Sequence, residues 1–549
     1  MPVQSRFFFP LALLLLWILI TGLVNPFGEF PINDDWAYAR DVYNLGVNHH
    51  LQPDLWPAMT LISQTIWGAL IVSLFSFSFT VLKVATLLLA IAASLVLYKL
   101  LHALLEHRLP AFILTCTFCF NPLLLTLSYT FMTDVFFLSF LLFSFYMAYR
   151  YLQNRERTVY YVFFIFFCLV AVLNRQYGFL TPLVFIPILL MQQKKSMRAA
   201  FLAFLPLLVC ACGHVGYHLL LKFNQIPSNT SGVSKLSGFI ENIRLGPCLF
   251  RATDMLLLTG ILLIPCAWML IRSFKQIKSK YTVVSVLLFC TLILLMLPFG
   301  SNFPNGNILN ADGIGPKLTR DLTRHENIKF GMSPVLLLVL KILGCLSVSV
   351  LISHWFLNRS GRAMPKTARN QFYLGLELYL ILYVVYSIVS DNYFDRYTLP
   401  LILATLLLAT RRMVFPGKQA IRILVPLLSL ILLLSAVAVK DYFSWQHSRW
   451  EAIRYLQTIG IDAHHVDGGF EYNAWYKAGK FGKPGKEGPS WWWIDRDDFL
   501  VANGAVAGFR KTKTFSYQHY LPFITDTLFI LKKQPETDSV KTNLPDVRL

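Results

Sequence analysis

Two adjacent carboxylates, Asp34 and Asp35, follow the first apolar stretch of the chain in the segment FPINDDWAYARDVYNL. A carboxylate pair at the mouth of a hydrophobic span stays ionised, so it can take a proton, hold a cation or coordinate a polar substrate. Further ionisable groups stand at the ends of later apolar runs. SYTFMTD puts Asp134 at the start of one, LNRQYG carries Arg175 and Gln176, and SDNYFDRYTLP carries Asp391, Asp395, Arg396 and Tyr397. If these four segments lie on one side of a membrane, acids and guanidiniums from separate hairpins converge on one pocket at its surface.

The elements that must position them are membrane spans. The chain has 549 residues, 56% of them hydrophobic, and a mean hydropathy of +0.54, which excludes an ordinary soluble protein. Apolar runs near the crossing length of about 20 residues predict about thirteen transmembrane helices, at 8–26, 81–101, 110–129, 135–152, 159–173, 178–192, 199–221, 253–271, 281–299, 334–357, 371–390, 397–411 and 420–439. Residues 60–79 are apolar but interrupted by Ser63, Gln64, Gly68, Ser73, Ser76 and Ser78, and read as an interfacial or re-entrant segment. With that assignment every short loop of one alternating set is basic, from Arg6 and Arg108 through Lys194, Lys195 and Arg272 to Arg411, Arg412 and Lys418. The positive-inside rule then puts the N-terminus in the cytoplasm and Asp34-Asp35 outside. The first span has no small-x-small cleavage site after it, so it reads as a retained anchor.

The formal net charge of +20 sits in these loops and needs no nucleic acid to explain it. Eight of the nine cysteines lie in or against apolar spans, so the Cys116-Cys119 pair reads as packing rather than a zinc site. His214 and His218 share a helical face but have no evident third ligand. Glu377 lies inside a span, near its inner end by this topology.

Each outer group has a structural alternative. Charges at span ends are commonly solvated, Asp134 could cap its helix, and Arg175 and Arg396 could reach up to headgroups. Trp36, Tyr38, Val42 and Tyr43 predict a short helix lying flat in the interface.

PINDDWAYA, the MTD at a span start, NRQYG, DRYTLPL and the later GGFEYNAW resemble the GT-C superfamily of membrane glycosyltransferases. Within it they are most similar to protein O-mannosyltransferases and bacterial aminoarabinose transferases, the glycosyltransferase family 39 type. Many relatives have Asp-Glu where this chain has Asp34-Asp35, which leaves open which acid is catalytic. The resemblance implies an inverting transfer of a sugar from a polyprenyl-phosphate donor to an acceptor hydroxyl on the outer face of the plasma membrane. Asp34 would be the general base. Arg396, Arg175 or a metal would stabilise the departing phosphate. Asp35 or Asp134 would orient the base, bind sugar hydroxyls or hold a cation, with Gln176 and Tyr397 beside the substrate. The acceptor class stays open among lipid, polysaccharide and protein. A transporter or lipid flippase, or a non-catalytic scaffold of the same fold, are the competing classes. A transporter should show midplane charges and repeats between halves, and neither is evident.

The domain reading is a transmembrane catalytic part at 1–440, with outer loops 27–80, 222–252 and 300–333, and a small α/β extracytoplasmic part at 441–549. Lys317, Arg320 and Arg324 in the third loop are candidates for attracting an anion. In the tail, Trp450, Ile453, Leu456 and Ile459 predict a helix stopped by Gly460. HHVDGGFEY and DTLFILKK read as strands, and the WWWIDRDDF run reads as core or interfacial anchoring rather than a sugar platform or calcium loop.

Overall fold

The computed structural model describes residues 4–191, 196–229, 244–275, 280–299, 303–304, 306–310, 313–315, 332–358, 367–390, 393–414, 418–477, 493 and 496–535. Lys317, Arg320, Arg324, Asp391 and, in the tryptophan-rich run, Trp491, Trp492, Ile494 and Asp495 lie outside these residues. The chain divides into two units, residues 1–316 with 330–443 and residues 317–329 with 444–549.

The first unit is helical. Its helices α1 (Gln4–Val24), α2 (Asp35–Gly46), α3 (Ile62–Phe75), α4 (Phe79–Leu105), α5 (Arg108–Cys119), α6 (Pro122–Ser128), α7 (Thr133–Gln153), α8 (Thr158–Val172), α9 (Leu180–Leu190) and α10 (Met197–Phe223) are followed by Leu245–Leu262, Ile264–Lys275, Lys280–Phe299, Pro334–Asn358, Ala368–Val389, Leu399–Ala409 and Lys418–Thr458. Each of the thirteen expected spans coincides with one helix or a closely spaced pair. Among the described residues eight helices are long and apolar enough to cross a bilayer, and the bent α5–α6 pair makes a ninth candidate. Of the other expected spans, 159–173, 178–192 and 397–411 fall on helices of 15, 11 and 11 residues, and 281–299 on the 20-residue helix Lys280–Phe299.

The chemistry of the chain explains the breaks. Between α5 and α6 the axis bends by 69°. Asn121 accepts the Leu124 N–H at 2.9 Å, and Pro122, which lacks an N–H, begins the new helix. At 14 residues, α3 is about 21 Å long, short of a hydrocarbon layer of about 30 Å. It packs along α2 through two small residues: a Cβ on Gly46 would lie 3.1 Å from the Ala69 Cα, and one on Gly68 would lie 2.5 Å from Val42. The α4 N-terminus is capped twice, by Ser78 and by Glu29, whose carboxylate accepts from the Ser78 hydroxyl at 2.6 Å and the Phe79 N–H at 3.0 Å. Deeper in the unit, Leu245–Leu262 and Pro334–Asn358 touch backbone to backbone, since a Cβ on Gly260 would fall 2.1 Å from the Gly344 carbonyl oxygen.

The aromatic face of α2 is not turned to lipid. Trp36, Ala37, Tyr38, Ala39 and Val42 of α2 are buried inside the protein. Val42 packs against Gly68 of α3, and the Trp36 ring lies 5.7 Å from that of Trp56.

The second unit has a four-stranded sheet of order β3 (Val466–Asp467), β4 (Phe499–Ala502), β6 (Phe523–Lys533), β5 (Phe509–Tyr520), with β3–β4 parallel and the other pairs antiparallel. Leu500, Ala502 and Leu531 form its core against Phe509 and Phe529. The last helix enters this unit and ends at Thr458, with Gly460 following at φ +79, the left-handed conformation that stops helices. GGFEY is not a strand: only Val466–Asp467 pair, and Phe470–Lys477 is helical. Asp467 turns the chain by accepting from the Gly469 N–H and the Asn473 amide. Arg449 is buried against Glu471 at 2.9 Å and the Gly468 carbonyl at 3.1 Å.

Candidate active site

Four charged side chains meet at one end of the helical unit. Arg175 Nη2 lies 3.0 Å from Asp134 Oδ1. The other Asp134 oxygen is 3.8 Å from Arg396 Nε, and Arg396 Nη2 is 3.3 Å from Asp34 Oδ2. The order is therefore Arg175–Asp134–Arg396–Asp34, with the formal charges cancelling.

Local structure aims each member. Asp34 stands at the N-cap position of α2, and Asp134 in the first turn of α7. The peptide of Phe131, just before α7, is gripped from both sides: its N–H donates to Asp35 Oδ2 at 3.0 Å, and its carbonyl accepts from the Gln64 amide at 2.7 Å. Arg175 precedes a 3-10 turn over Gln176–Phe179, and its Nε donates to the Thr133 hydroxyl at 2.8 Å. Arg396 lies in a second 3-10 turn, Asp395–Thr398. Tyr397 stacks under the pair, its ring centre 5.1 Å from the Arg175 guanidinium and 5.6 Å from that of Arg396. Its carbonyl accepts from the Tyr383 hydroxyl at 2.6 Å.

Asp395 does a different job from its neighbour. Its two oxygens accept the N–H groups of Asn307 at 3.1 Å, Ile308 at 2.9 Å, Leu309 at 2.6 Å and Arg396 at 2.9 Å. It thus pins the loop whose strands β1 (Leu309–Asn310) and β2 (Gly313–Ile314) form a small hairpin. Gly306 is required there, because a Cβ would come within 2.3 Å of Asp395 Oδ2. The pinned loop brings Asn307 Oδ1 to 3.2 Å from Arg396 Nη1 and 2.7 Å from the Asn33 amide.

Electrostatics separate the four. The side chains of Asp134, Arg175 and Arg396 are 2–3% exposed, that of Asp34 15%. Burial works against the charge on Arg396, but Asp134, then Tyr397 and Asp34, outweigh it and hold the guanidinium protonated well above its ordinary range. Arg175 is raised in the same sense, Asp134 overcoming burial. Asp35 is fully buried, and burial pushes its carboxyl up to about 7. It sits beneath the network, while Asp34 opens from it. Asp34 Oδ1 also accepts the Trp56 indole N–H at 2.9 Å. Trp56 is held by its own N–H to Asp54 at 2.8 Å, by the Asp54–Arg40 ion pair at 2.9 Å, and by the Trp36 ring at 5.7 Å.

Asp34, Asp134, Arg175, Arg396 and Tyr397 are thus brought together. Asp35 reaches the site through the Phe131 backbone. Gln176 is half-buried in its turn and is no part of the ion-pair chain among the described residues. The alternative in which Arg175 and Arg396 reach up to headgroups fails, because both turn inward to carboxylates. Asn33, Trp56, Thr133 and Asn307 were not anticipated; they lie in aperiodic loops or beside stronger signals. His214 contacts the Thr60 hydroxyl at 3.5 Å. Among the described residues no group of three or more His, Cys, Asp or Glu side chains could hold a metal ion.

Residues 66–216, which include Asp134, Arg175 and Gln176, match the family model of dolichyl-phosphate-mannose-protein mannosyltransferases. The match covers 151 of the chain's 549 residues. Among solved structures this chain is similar to ArnT from Cupriavidus metallidurans bound to undecaprenyl phosphate, at 12% identity and a TM-score of 0.41 over 84% of this chain and 74% of that one. Apo ArnT gives 12% and 0.42 over 83% and 73%. AglB from Archaeoglobus fulgidus, in complex with an inhibitory peptide and a dolichol-phosphate, gives 11% and 0.41 over 84% of this chain and 59% of that one. No curated protein sequence matches.

Proposed function

We propose that this protein is a GT-C glycosyltransferase that transfers a sugar, with inversion, from a polyprenyl-phosphate donor to an acceptor hydroxyl at the extracytoplasmic face of the plasma membrane, with Asp34 as general base. The observation that carries the reading is the graded access of the ion-pair chain: of its four members Asp34 has the solvent-facing carboxylate. The family description supports a lipid-phosphate sugar donor.

The charges suggest how the steps are linked. The acceptor hydroxyl gives its proton to Asp34 while its oxygen attacks the anomeric carbon, and the bond from that carbon to the phosphate oxygen breaks. Protonated Asp34 no longer attracts Arg396. The guanidinium then carries uncompensated positive charge just as the leaving phosphate gains negative charge, and its planar fork suits two phosphate oxygens. Arg175 is committed to Asp134 and Thr133 by shorter contacts, so Arg396 takes this role. Asp35 positions the turn before α7 rather than touching substrate, and Tyr397 and Asp134 orient Arg396.

The test uses purified full-length protein with radiolabelled polyprenyl-phosphate sugars and an envelope acceptor extract, reading acceptor-dependent release of polyprenyl phosphate. Asp34→Asn should lower turnover by about 10²–10⁴-fold while the protein stays monodisperse. Wild-type turnover that survives intact in Asp34→Asn would remove the base. Turnover lost only in Asp35→Asn would reassign it.

A further inference from the structure

The helix Ala368–Val389 reaches the ion-pair site near its C-terminal end, where Tyr383 binds the Tyr397 carbonyl. Its 22 residues span about 33 Å, so its first turn lies at the opposite end of the helical unit. A cavity of about 320 Å³ opens there, bordered by Arg369, Asn370, Tyr373, Thr410, Arg411 and Arg412, with no acidic side chain in its lining. At about 30 Å³ per water it has room for a hydrated polar group.

We propose that this cavity binds an anionic phosphate group, supplied as the headgroup of an anionic lipid or as free phosphate. The three arginines play different parts. Arg411 is buried, paired with Glu377 at 2.8 Å and stacked 5.5 Å over Tyr373. Its carbonyl bonds the His354 ring at 2.7 Å, and Tyr373 and Thr410 share a hydrogen bond of 2.9 Å. These contacts fix the turn that presents Arg412, whose φ of +54 lies in the left-handed region. Arg412 is exposed and has no ion-pair partner among the described residues. Arg369 pairs at 3.2 Å with Glu106, whose side chain is 75% exposed. Such a surface pair is weak and yields to a stronger anion. Three guanidiniums against the two carboxylates that pair with them leave one positive charge, and Arg369, Arg412 and the Asn370 amide are placed to donate to phosphate oxygens. Basic pockets between membrane helices at the end bearing basic loops are suited to lipid headgroups.

The experiment places the purified full-length protein in phosphatidylcholine nanodiscs with or without phosphatidylglycerol and counts retained phosphatidylglycerol by native mass spectrometry. A parallel arm measures the thermal midpoint against inorganic phosphate. Two variants are compared, Arg369→Gln/Arg412→Gln and Asn370→Asp, the second of which keeps both arginines and adds a negative charge to the cavity. Retention of phosphatidylglycerol that falls by about tenfold in both variants supports a lipid source. A phosphate-dependent midpoint rise lost in both variants supports free phosphate. Equal responses in wild type and both variants, or no response in any, overturn the site.

Discussion

The sharpest consequence of the ion-pair chain concerns Asp134, the carboxylate between two buried guanidiniums. Its contacts of 3.0 Å to Arg175 and 3.8 Å to Arg396 correspond to roughly 5 and 4 kcal/mol of gross attraction at an effective dielectric constant of about 20. Desolvation and repulsion between the guanidiniums offset much of that. Asp134→Asn preserves shape but leaves two positive charges facing one negative one, Asp34. Removing one partner from a buried ion pair costs about 3–5 kcal/mol, and that is the destabilisation expected. Adding Arg175→Gln restores neutrality, so the double variant should be more stable than Asp134→Asn alone, with a coupling of at least about 1 kcal/mol. Thermal midpoints of the full-length protein in one detergent, followed by tryptophan fluorescence and size exclusion, give the order wild type, double variant, single variant. If Asp134→Asn melts with wild type, or the double variant loses the sum of the two singles, charge balance is not what holds these residues.

Asp395→Ala removes the acceptor for four backbone N–H groups, so amide exchange at Asn307, Ile308 and Leu309 should accelerate at least tenfold, while that of α4 is unchanged; equal rates would show the loop held by other means. Asp35→Ala strands the buried Phe131 N–H and should cost about 1–3 kcal/mol, whereas Asp35→Asn keeps an acceptor there and should cost less, as read by thermal midpoint. In the second unit, burial raises the Asp467 carboxyl from 3.8 to about 6. The folded state therefore binds this proton more tightly than the unfolded one, and the protonated form's extra stability is lost as pH rises from about 4 to about 6. At about 1.4 kcal/mol per pH unit the loss is up to about 3 kcal/mol. Exchange protection of residues 470–477 in the full-length protein, corrected for intrinsic rates, should fall across that window, and Asp467→Asn should flatten the trend.

Much of this was legible in the residues. Span positions followed from apolar runs, since lipid forces backbone groups into helices wherever the chain crosses. The site was legible because charges next to apolar runs are conspicuous, so Asp34, Asp134, Arg175 and Arg396 stood out without knowledge of their partners. What distinguishes Asp34 from Asp35 was not legible. Neighbours on a helix point in different directions, and the one that faces Phe131 is decided by how α2 meets α7. Trp56 and Asn307 were hidden for a related reason: each acts through a loop whose path depends on carboxylate acceptors, Asp54, whose own N–H donates to Asp41 on α2, for the first and Asp395 for the second. Trp36 and Tyr38 read as facing headgroups but are buried in protein, because composition cannot tell a protein interior from a lipid headgroup layer.

The Asn307 side chain has a last consequence. It bridges Asn33, one residue before Asp34, and Arg396, and its own N–H hangs from Asp395. Any molecule that displaces this loop must also take one hydrogen-bond partner from Arg396. Displacement of the loop and occupation of the guanidinium are therefore thermodynamically linked, and the linkage runs both ways. An anion on Arg396 favours the displaced loop as much as the displaced loop favours the anion. Two ligands meeting on opposite sides of Asn307 would each sense the other's arrival without touching.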